Sequence, residues 1–461
     1  NFLKNRKKLI IDFSRLKEIE KKYTYFSGLN KQIISSQLTS APYHNRYFLP
    51  PTTYEENLYW LLLNYNKAEY LLDTIKPDCI FDLDTAEIQR TIINEIAYYK
   101  KIPYITQEYS RYKTFCLPSF CLTRHLDDYF IQAYNKNRNG DDELLKDHID
   151  EIKNYRNQLK IMPIIYKNIV ASVYDFSFLQ AIKKILIKTY SFFRDQIYSI
   201  KNDKLRIPLN TPFFSNPYKK IFFLIINSIK NYYLYSKFNK YFQIPINEKY
   251  IYMPLHLIPE STTFVKAPMY INELSIIEAI SKSLPINWKL YVKEHQSMIG
   301  ERQIEFYKKI NKFHNVKLVK SNFYRDPKPW IEKSLGVVTI TGSAAFEAAM
   351  LNKPAIVFGN VFYNVISSIK AINNFDDLEN LFKIIEINNQ PQDYTLECAA
   401  YLKTINEVGI ELNIEDLYDI SSKKLKLQSL NINEENDFKN MISNLKLFYE
   451  KALDIYFKIK I

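Results

Sequence analysis

The sequence predicts an α/β fold of two units, and three observations carry it. From Lys249 onward, five short apolar runs alternate with helical segments: Tyr250–Leu255, Trp288–Val292, Val316–Val319, Val337–Thr341 and Ala355–Phe358. That alternation is the pattern of a Rossmann-like parallel sheet. In the N-terminal half, an apolar run at Cys79–Leu83, a helical stretch to about Lys100 and a second run at Pro103–Thr106 form another βαβ unit. Finally, 461 residues are too many for one ordinary core, and two domains of roughly 200 residues each are the default.

The first fifty residues mix basic and aromatic side chains, and Leu9–Phe13 is the one strand expected there. Thr53-Tyr-Glu-Glu56 has the form of a capping box, so a long helix is expected from about residue 54 to Ile75, ended by Lys76-Pro77. Asp84-Thr-Ala-Glu87 is a second capping box. Asp82, Asp84 and Glu108 fall at or just past the ends of the two expected strands, where open parallel sheets place their ligand crevice. Asp84 reads more readily as a helix cap than as a catalytic group. Residues 141–200 read as helical, and the prolines at 208, 212 and 217 mark a loop or interdomain segment. Near the end, Phe438, Met441, Ile442, Leu445, Phe448, Ala452, Leu453 and Tyr456 form one helical stripe. The expected boundaries are 1–245, 246–430 and a C-terminal helix at 431–461.

A hydrophobic content of 47% with 25% charged residues is that of a globular chain and excludes disorder. No apolar run approaches the ~18 residues of a membrane span. The chain begins at Asn1 rather than Met, which is compatible with a preceding segment. Cys79, Cys116, Cys121 and Cys398 lack paired metal-ligand spacing and read as free thiols in a reducing compartment. The net charge of +13 is concentrated: between Lys183 and Ile246 twelve Lys and Arg stand against Asp195 and Asp203, interleaved with aromatic residues such as Phe213, Phe222, Tyr232 and Tyr241. A basic, aromatic amphipathic segment suits an anionic membrane surface or a lipid-linked acceptor, with a plain solvated helix face as the alternative. No nucleic-acid motif accompanies it, so a nucleic-acid partner is not expected.

The richest stretch is Thr339-Ile-Thr-Gly-Ser-Ala-Ala-Phe-Glu347, a strand that turns abruptly into a helix. Gly342 and Ser343 at the helix start leave backbone N–H groups open to a phosphate, and Glu347, one turn further, could accept hydrogen bonds from ribose hydroxyls. A tight βα turn with a solvated Glu347 is the plainer alternative. The other expected strands also end in polar groups: His256 to Glu260 after the first, Lys293-Glu-His295 after the second, and Gly359-Asn360 after the fifth. Groups suited to a nucleotide therefore gather at one end of one sheet, and two of six histidines lie at equivalent strand ends.

At these residues the chain resembles the capsule polysaccharide biosynthesis proteins. The matching stretches are Met253-Pro-Leu-His-Leu-Ile-Pro-Glu-Ser-Thr-Thr263, Leu290-Tyr-Val-Lys-Glu-His295, Gly300-Glu-Arg302, Thr339 through Glu347-Ala, Lys353-Pro354 and Phe358-Gly359. The resemblance covers about residues 250–365. It implies a glycosyltransferase of the two-domain GT-B fold, related to Kdo transferases that use CMP-Kdo. Residues 1–245 would then be the acceptor side, 246–430 the nucleotide-sugar domain, and the last helix would pack back on the N-domain. It also implies that His295, with Lys293, contacts the donor phosphate, that Gly342 and Ser343 support it, that Glu347 holds the ribose, and that His256 and Glu260 line the cleft near the sugar. The implied partners are a CMP-activated acidic sugar and a lipid-linked or oligosaccharide acceptor, at a cytoplasmic, peripheral membrane location. No cofactor or metal is required, because leaving CMP keeps a single phosphate.

Two departures stand out. The family commonly has Pro after the histidine, where this chain has Gln296. Its acidic Glu-Asp-Gly motif has as nearest counterpart Gln107-Glu108-Tyr109-Ser110-Arg111, without the Asp-Gly pair. Either Glu108 or Asp82 takes the catalytic carboxylate role, or a different sugar is transferred, or transfer has been lost. A non-catalytic capsule-assembly or glycan-binding protein, and a polyol-phosphate transferase or nucleotide-sugar epimerase, remain the other readings.

Overall fold

The computed structural model describes residues 9–25, 28–35, 53–82, 88–120, 128–158, 239–298, 302–320, 323–324, 326–387, 392–412 and 432–460, with isolated positions between them. It is an α/β protein with two sheets. The larger holds six parallel strands: β4 (Tyr250–Pro254), β5 (Lys289–Lys293), β6 (Val316–Val319), β7 (Gly336–Thr339), β8 (Ala355–Val357) and β9 (Ile369–Ala371). Their order, β6-β5-β4-β7-β8-β9, is that of a doubly wound sheet whose direction reverses between β4 and β7. Five of these strands match the expected runs; β9 is an addition.

Both faces of this sheet are buried, as parallel strands require. On β4 the side chains alternate: Tyr250 and Tyr252 join one core, Ile251 and Met253 the other. The second core is closed by helices 273–283, 304–310 and 377–387 through Ile276, Ile280, Tyr307, Leu378 and Phe382. The first is closed by helix 344–350 together with helices from both halves of the chain: Phe130, Tyr134 and Ile152 from the first half pack in one cluster with Trp330, Phe346 and Tyr401. Residues on both sides of the expected 245/246 boundary therefore share one core.

The smaller sheet contains β1 (Ile80–Asp82), β2 (Tyr104–Tyr109), β3 (Phe115–Ser119) and β10 (Ile410–Glu411), in that order. The expected βαβ unit is present: β1 and β2 are parallel, joined through helix 88–100. β3, antiparallel to β2, makes this sheet mixed. Pro118 lies within β3 opposite Gln107, yet β10 pairs only with Phe115 and Cys116, so the missing proline N–H falls beyond the short partner strand. Helix 54–75 carries the full capping box, Thr53 with Glu56 in both directions. Leu9–Phe13 is corrected: the chain enters a helix at Phe13, because Asp12 accepts the Arg15 N–H (2.9 Å) and caps it.

The C-terminal helix 432–460 packs back on the smaller sheet. Met441, Phe448 and Ala452 are buried, the Tyr449 ring lies 4.0 Å from that of Phe81, and Gln107 Nε2 donates to the Tyr449 hydroxyl (3.0 Å). Ile442, expected in the stripe, is exposed. Cys79, Cys116 and Cys398 are free thiols, and no described helix is long and apolar enough to cross a membrane. The second capping box, Cys121 and Gly300 lie outside the described residues, as does most of the basic segment 183–246.

Candidate functional site

The strands β4, β5 and β7 end together at the reversal point of the large sheet, and a cleft of about 480 Å³ opens there. Its walls include His256, Glu260, Lys293, His295, Gly342, Ser343 and Glu347, the seven residues that the resemblance implies for the donor, whereas Gly359 and Asn360, which follow the fifth run, are not among the lining residues. A larger cavity of about 750 Å³, walled by tyrosines of the N-terminal half, contains none of them.

The cleft floor is a hydrogen-bonded lattice fixed by His256. Its Nε2 faces the Thr339 hydroxyl (3.2 Å) and accepts the Thr341 N–H (3.4 Å), so Nδ1 carries the proton and points to Glu273 Oε1 (3.3 Å). Thr339 Oγ1 in turn accepts the Gly342 N–H (3.1 Å). Gly342 is required by crowding: a β-carbon there would stand 2.5 Å from Thr339 Oγ1 and 3.3 Å from His256 Nε2, prising the lattice apart. His256 thus touches the cleft while joining the end of β4 to that of β7.

Beneath it lies a buried charge cluster. Arg302 is 1% exposed, Glu273 2% and Glu294 1%. The guanidinium reaches Glu273 Oε2 at 2.6 Å, both Glu294 oxygens at 3.1 and 3.0 Å, and the His256 carbonyl at 2.7 Å. Glu294 also accepts the Tyr307 hydroxyl and the His295 N–H. Burial raises the Glu294 carboxyl above its usual range. For Glu273 burial acts in the same sense, but Arg302 and His256 outweigh it and the net shift is downward.

The upper wall is less satisfied. Burial draws Lys293 down to about 8, against the pull of Glu347 and Asp326. It draws His295 down to about 3, with the neighbouring Lys293 and Arg302 acting in the same sense. His295 Nδ1 accepts the Ser297 N–H (3.2 Å), so the neutral ring has its proton on Nε2. Glu347 Oε1 accepts the Ser343 hydroxyl (2.9 Å), while its Oε2 is buried without a hydrogen-bond partner. Burial raises this carboxyl as well. Helix 344–350 has only seven residues, so its dipole is that of two turns and the side chains dominate the wall.

The two carboxylates expected from the smaller sheet are not among the lining residues. Asp82 pairs with Arg90 and accepts the Tyr104 hydroxyl. Glu108 makes a buried ion pair with Lys266, which belongs to the loop after β4, and so sits at the seam between the sheets. The residue of this region that does enter the cleft is Arg111. It occupies the β2–β3 turn with φ 67°, and Lys113 follows with φ 48°, both left-handed conformations that cost a non-glycine residue about 1–2 kcal/mol each. Arg111, Lys266 and the Glu273–Arg302–Glu294 cluster were not separable in the sequence from ordinary surface charges; the pointers were Glu294 and Arg302, inside resembling stretches, and Arg111, at the end of the acidic-motif counterpart.

Neither a protein-family model nor a curated protein matches the chain. Among solved structures it is similar to KpsC of Thermosulfurimonas dismutans, a beta Kdo 2,7 transferase, at 12% identity over 76% of this chain and 83% of that one, with a TM-score of 0.39. It is also similar to the UDP-GlcNAc 2-epimerase of Methanocaldococcus jannaschii (13% identity, 78% and 83% covered, TM-score 0.27) and to the wall teichoic acid polymerase TagF (17%, 44% and 50%, TM-score 0.22). Likenesses this loose set no residue correspondence.

Arg302→Met should leave Glu273 and Glu294 facing each other in the interior without a cation, and lower unfolding stability by about 3–5 kcal/mol in urea titration. Adding Glu273→Gln and Glu294→Gln to that variant should recover part of the loss; no recovery would show that the guanidinium acts through packing instead.

Proposed function

We propose that the chain is a glycosyltransferase of surface polysaccharide synthesis, which takes a CMP-activated acidic sugar, Kdo or a relative, into the cleft at the reversal point. The acceptor would be a lipid-linked or oligosaccharide chain. The observation that carries this reading is the unpartnered, buried Glu347 Oε2 on a polar cleft wall. A buried carboxylate oxygen without a donor is costly, and a ribose hydroxyl would satisfy it. Lys293 and the Nε2–H of neutral His295 lie on the same walls and suit one phosphate. Gly342 keeps the turn beside them tight against Thr339 and His256. In this scheme residues 246–430 form the donor domain and 1–245 the acceptor side. Membrane contact through residues 183–246, and with it a cytoplasmic, peripheral location, rests on charge and aromatic content alone.

For transfer, Glu108 is the better carboxylate. It lies at the seam and influences Tyr363, whose hydroxyl donates to the Thr341 and Gly342 carbonyls. It would attack the anomeric carbon or take the acceptor hydroxyl proton, with CMP leaving onto Lys293 and His295. Its pairing with Lys266 must open first. That burial also favours a second reading, a protein that binds the nucleotide sugar without transferring it.

Calorimetry with CMP tests the site. His295→Ala removes a hydrogen bond to an ionised phosphate worth roughly 1.5–3 kcal/mol, so affinity should fall about tenfold to a hundredfold. Ser343→Val should add a smaller loss. Binding that survives both substitutions would sink the site, and wild-type protein that ignores CMP would sink the donor class. The pH profile gives an independent check. A bound phosphate favours the ammonium form of Lys293, raising its pKa above the value of about 8 in the free cleft. Affinity should therefore be full below pH 8 and decline as pH rises through 8, by up to about tenfold per unit, and Lys293→Gln should flatten the curve. Glu108→Gln should keep donor binding and lower transfer by about a hundredfold or more; unchanged turnover would remove Glu108 from the chemistry.

A further inference from the structure

We propose that the tyrosine-walled cavity of the N-terminal half is a second binding site, for a glycan chain, separate from the donor cleft. It rests on the transfer reading above only in taking that glycan to be the acceptor. At about 750 Å³ the cavity is larger than the cleft, and the two share none of their described lining residues. Lys101, Ile102 and Tyr104 line it at the amino end of β2, whereas the cleft takes Arg111 from the turn past the carboxyl end of the same strand. Six residues at about 3.3 Å each put roughly 20 Å between those ends.

The composition of the wall selects the ligand class. Seven of the thirteen described lining residues are aromatic, and Ile102 is the one aliphatic side chain among them. An acyl chain calls for the reverse. Lys22 and Lys101 are matched by Glu95 and Asp128, and Lys22 is already paired with Glu69 (2.9 Å), so the wall lacks the surplus of positive charge that a nucleic acid or an anionic bilayer requires. A sugar ring fits such a wall. One of its faces carries polarised C–H groups that stack on the electron-rich face of an aromatic ring, and the hydroxyls around its edge take hydrogen bonds from polar groups such as Asn94 and Asp128.

The rings are held in place by the fold. Tyr25 lies two residues beyond the end of helix 13–23, and its N–H donates to the buried Glu95 of helix 88–100 (2.9 Å). Tyr98 is one turn further along that helix, and the Tyr25 ring stacks on it with centroids 4.2 Å apart. Beside them Tyr99 meets Tyr23 edge to face at 5.2 Å, and the Tyr23 hydroxyl is anchored on Glu69. Tyr456 of the terminal helix adds a further ring, 5.4 Å from Phe120. Even so, Tyr25, Tyr98 and Tyr99 remain 59%, 48% and 53% exposed. Aromatic surface that is fixed in advance and still open binds a ligand with little loss of side-chain freedom.

The test is calorimetry with oligosaccharides cut from the surface polysaccharide of the source organism. Wild type should bind them, and Tyr25→Ala and Tyr98→Ala should each weaken binding about threefold to tenfold, the loss of one stacked ring. Tyr98→Phe, which keeps the ring, should bind as wild type does, and unchanged thermal midpoints would report intact folds. Wild type that ignores the oligosaccharides overturns the inference, as does binding that both truncations leave unchanged or that His295→Ala weakens to the same extent. A proline-rich peptide, another ligand of aromatic-lined grooves, should not bind; a peptide that binds where the oligosaccharides do not would overturn the glycan assignment. CMP separates the two readings: CMP binding without glycan binding overturns this inference alone, and glycan binding without CMP binding overturns the donor class alone.

Discussion

One buried guanidinium holds the cleft in shape. In a parallel sheet the loops at the carboxyl ends of the strands receive no support from the ladder, yet this is where ligands are bound. Arg302 ties together the carbonyl of His256 after β4, the carboxylate of Glu294 after β5 and that of Glu273 at the start of helix 273–283. Desolvating three charges is expensive, and a well-packed apolar cluster of the same size would serve stability as well or better. What the charged version adds is direction: each oxygen fixes one loop at one distance, and the backbone of His295 hangs from the same Glu294. His256 extends the fixed region to β7 through Thr339. The floor is thus tied together before any ligand arrives, and on the wall above it Glu347 Oε2 is left without a hydrogen-bond partner.

The large sheet was legible because its strands are separated by helices and are apolar on both faces, so each run is short and continuous. The polar residues following the runs were legible for the same reason: they interrupt the apolar pattern at equivalent places, and the structure brings His256, Lys293, His295 and Gly342 to one cleft. The capping box at Thr53 was readable because a cap is local. Strand β3 was hidden by Pro118, which ordinarily argues against a strand interior, and β9 and β10 by lengths of three and two residues. Leu9–Phe13 misled because a four-residue apolar preference says nothing about the cap at Asp12 that overrides it.

The long-range charges were out of reach for a different reason. Glu108 and Lys266 are 158 positions apart, and neither stretch contains anything to distinguish a buried pair from two solvated side chains. Arg111 was quoted only as the end of a weak acidic motif; its importance lies in a left-handed backbone that the sequence does not announce with glycine or asparagine. In each case the missing information is tertiary: which charge loses its water, and to what partner.

The core that helices 128–138 and 146–157 share with the large sheet bears on how such a chain can change over time. Arg156, from the first half, clasps the end of helix 344–350 by donating to the Met350 carbonyl, Thr395 Oγ1 and Asn352 Oδ1, each at 2.7 Å, and the terminal helix returns to cover β3 and β10. The two halves are therefore not exchangeable modules. Replacing residues 1–245 wholesale would remove the helices that pack against helices 344–350 and 395–408 over one face of the six-stranded sheet. Such a chain changes more readily through substitutions in the outer loops and helices of the first half than by recombination at its border.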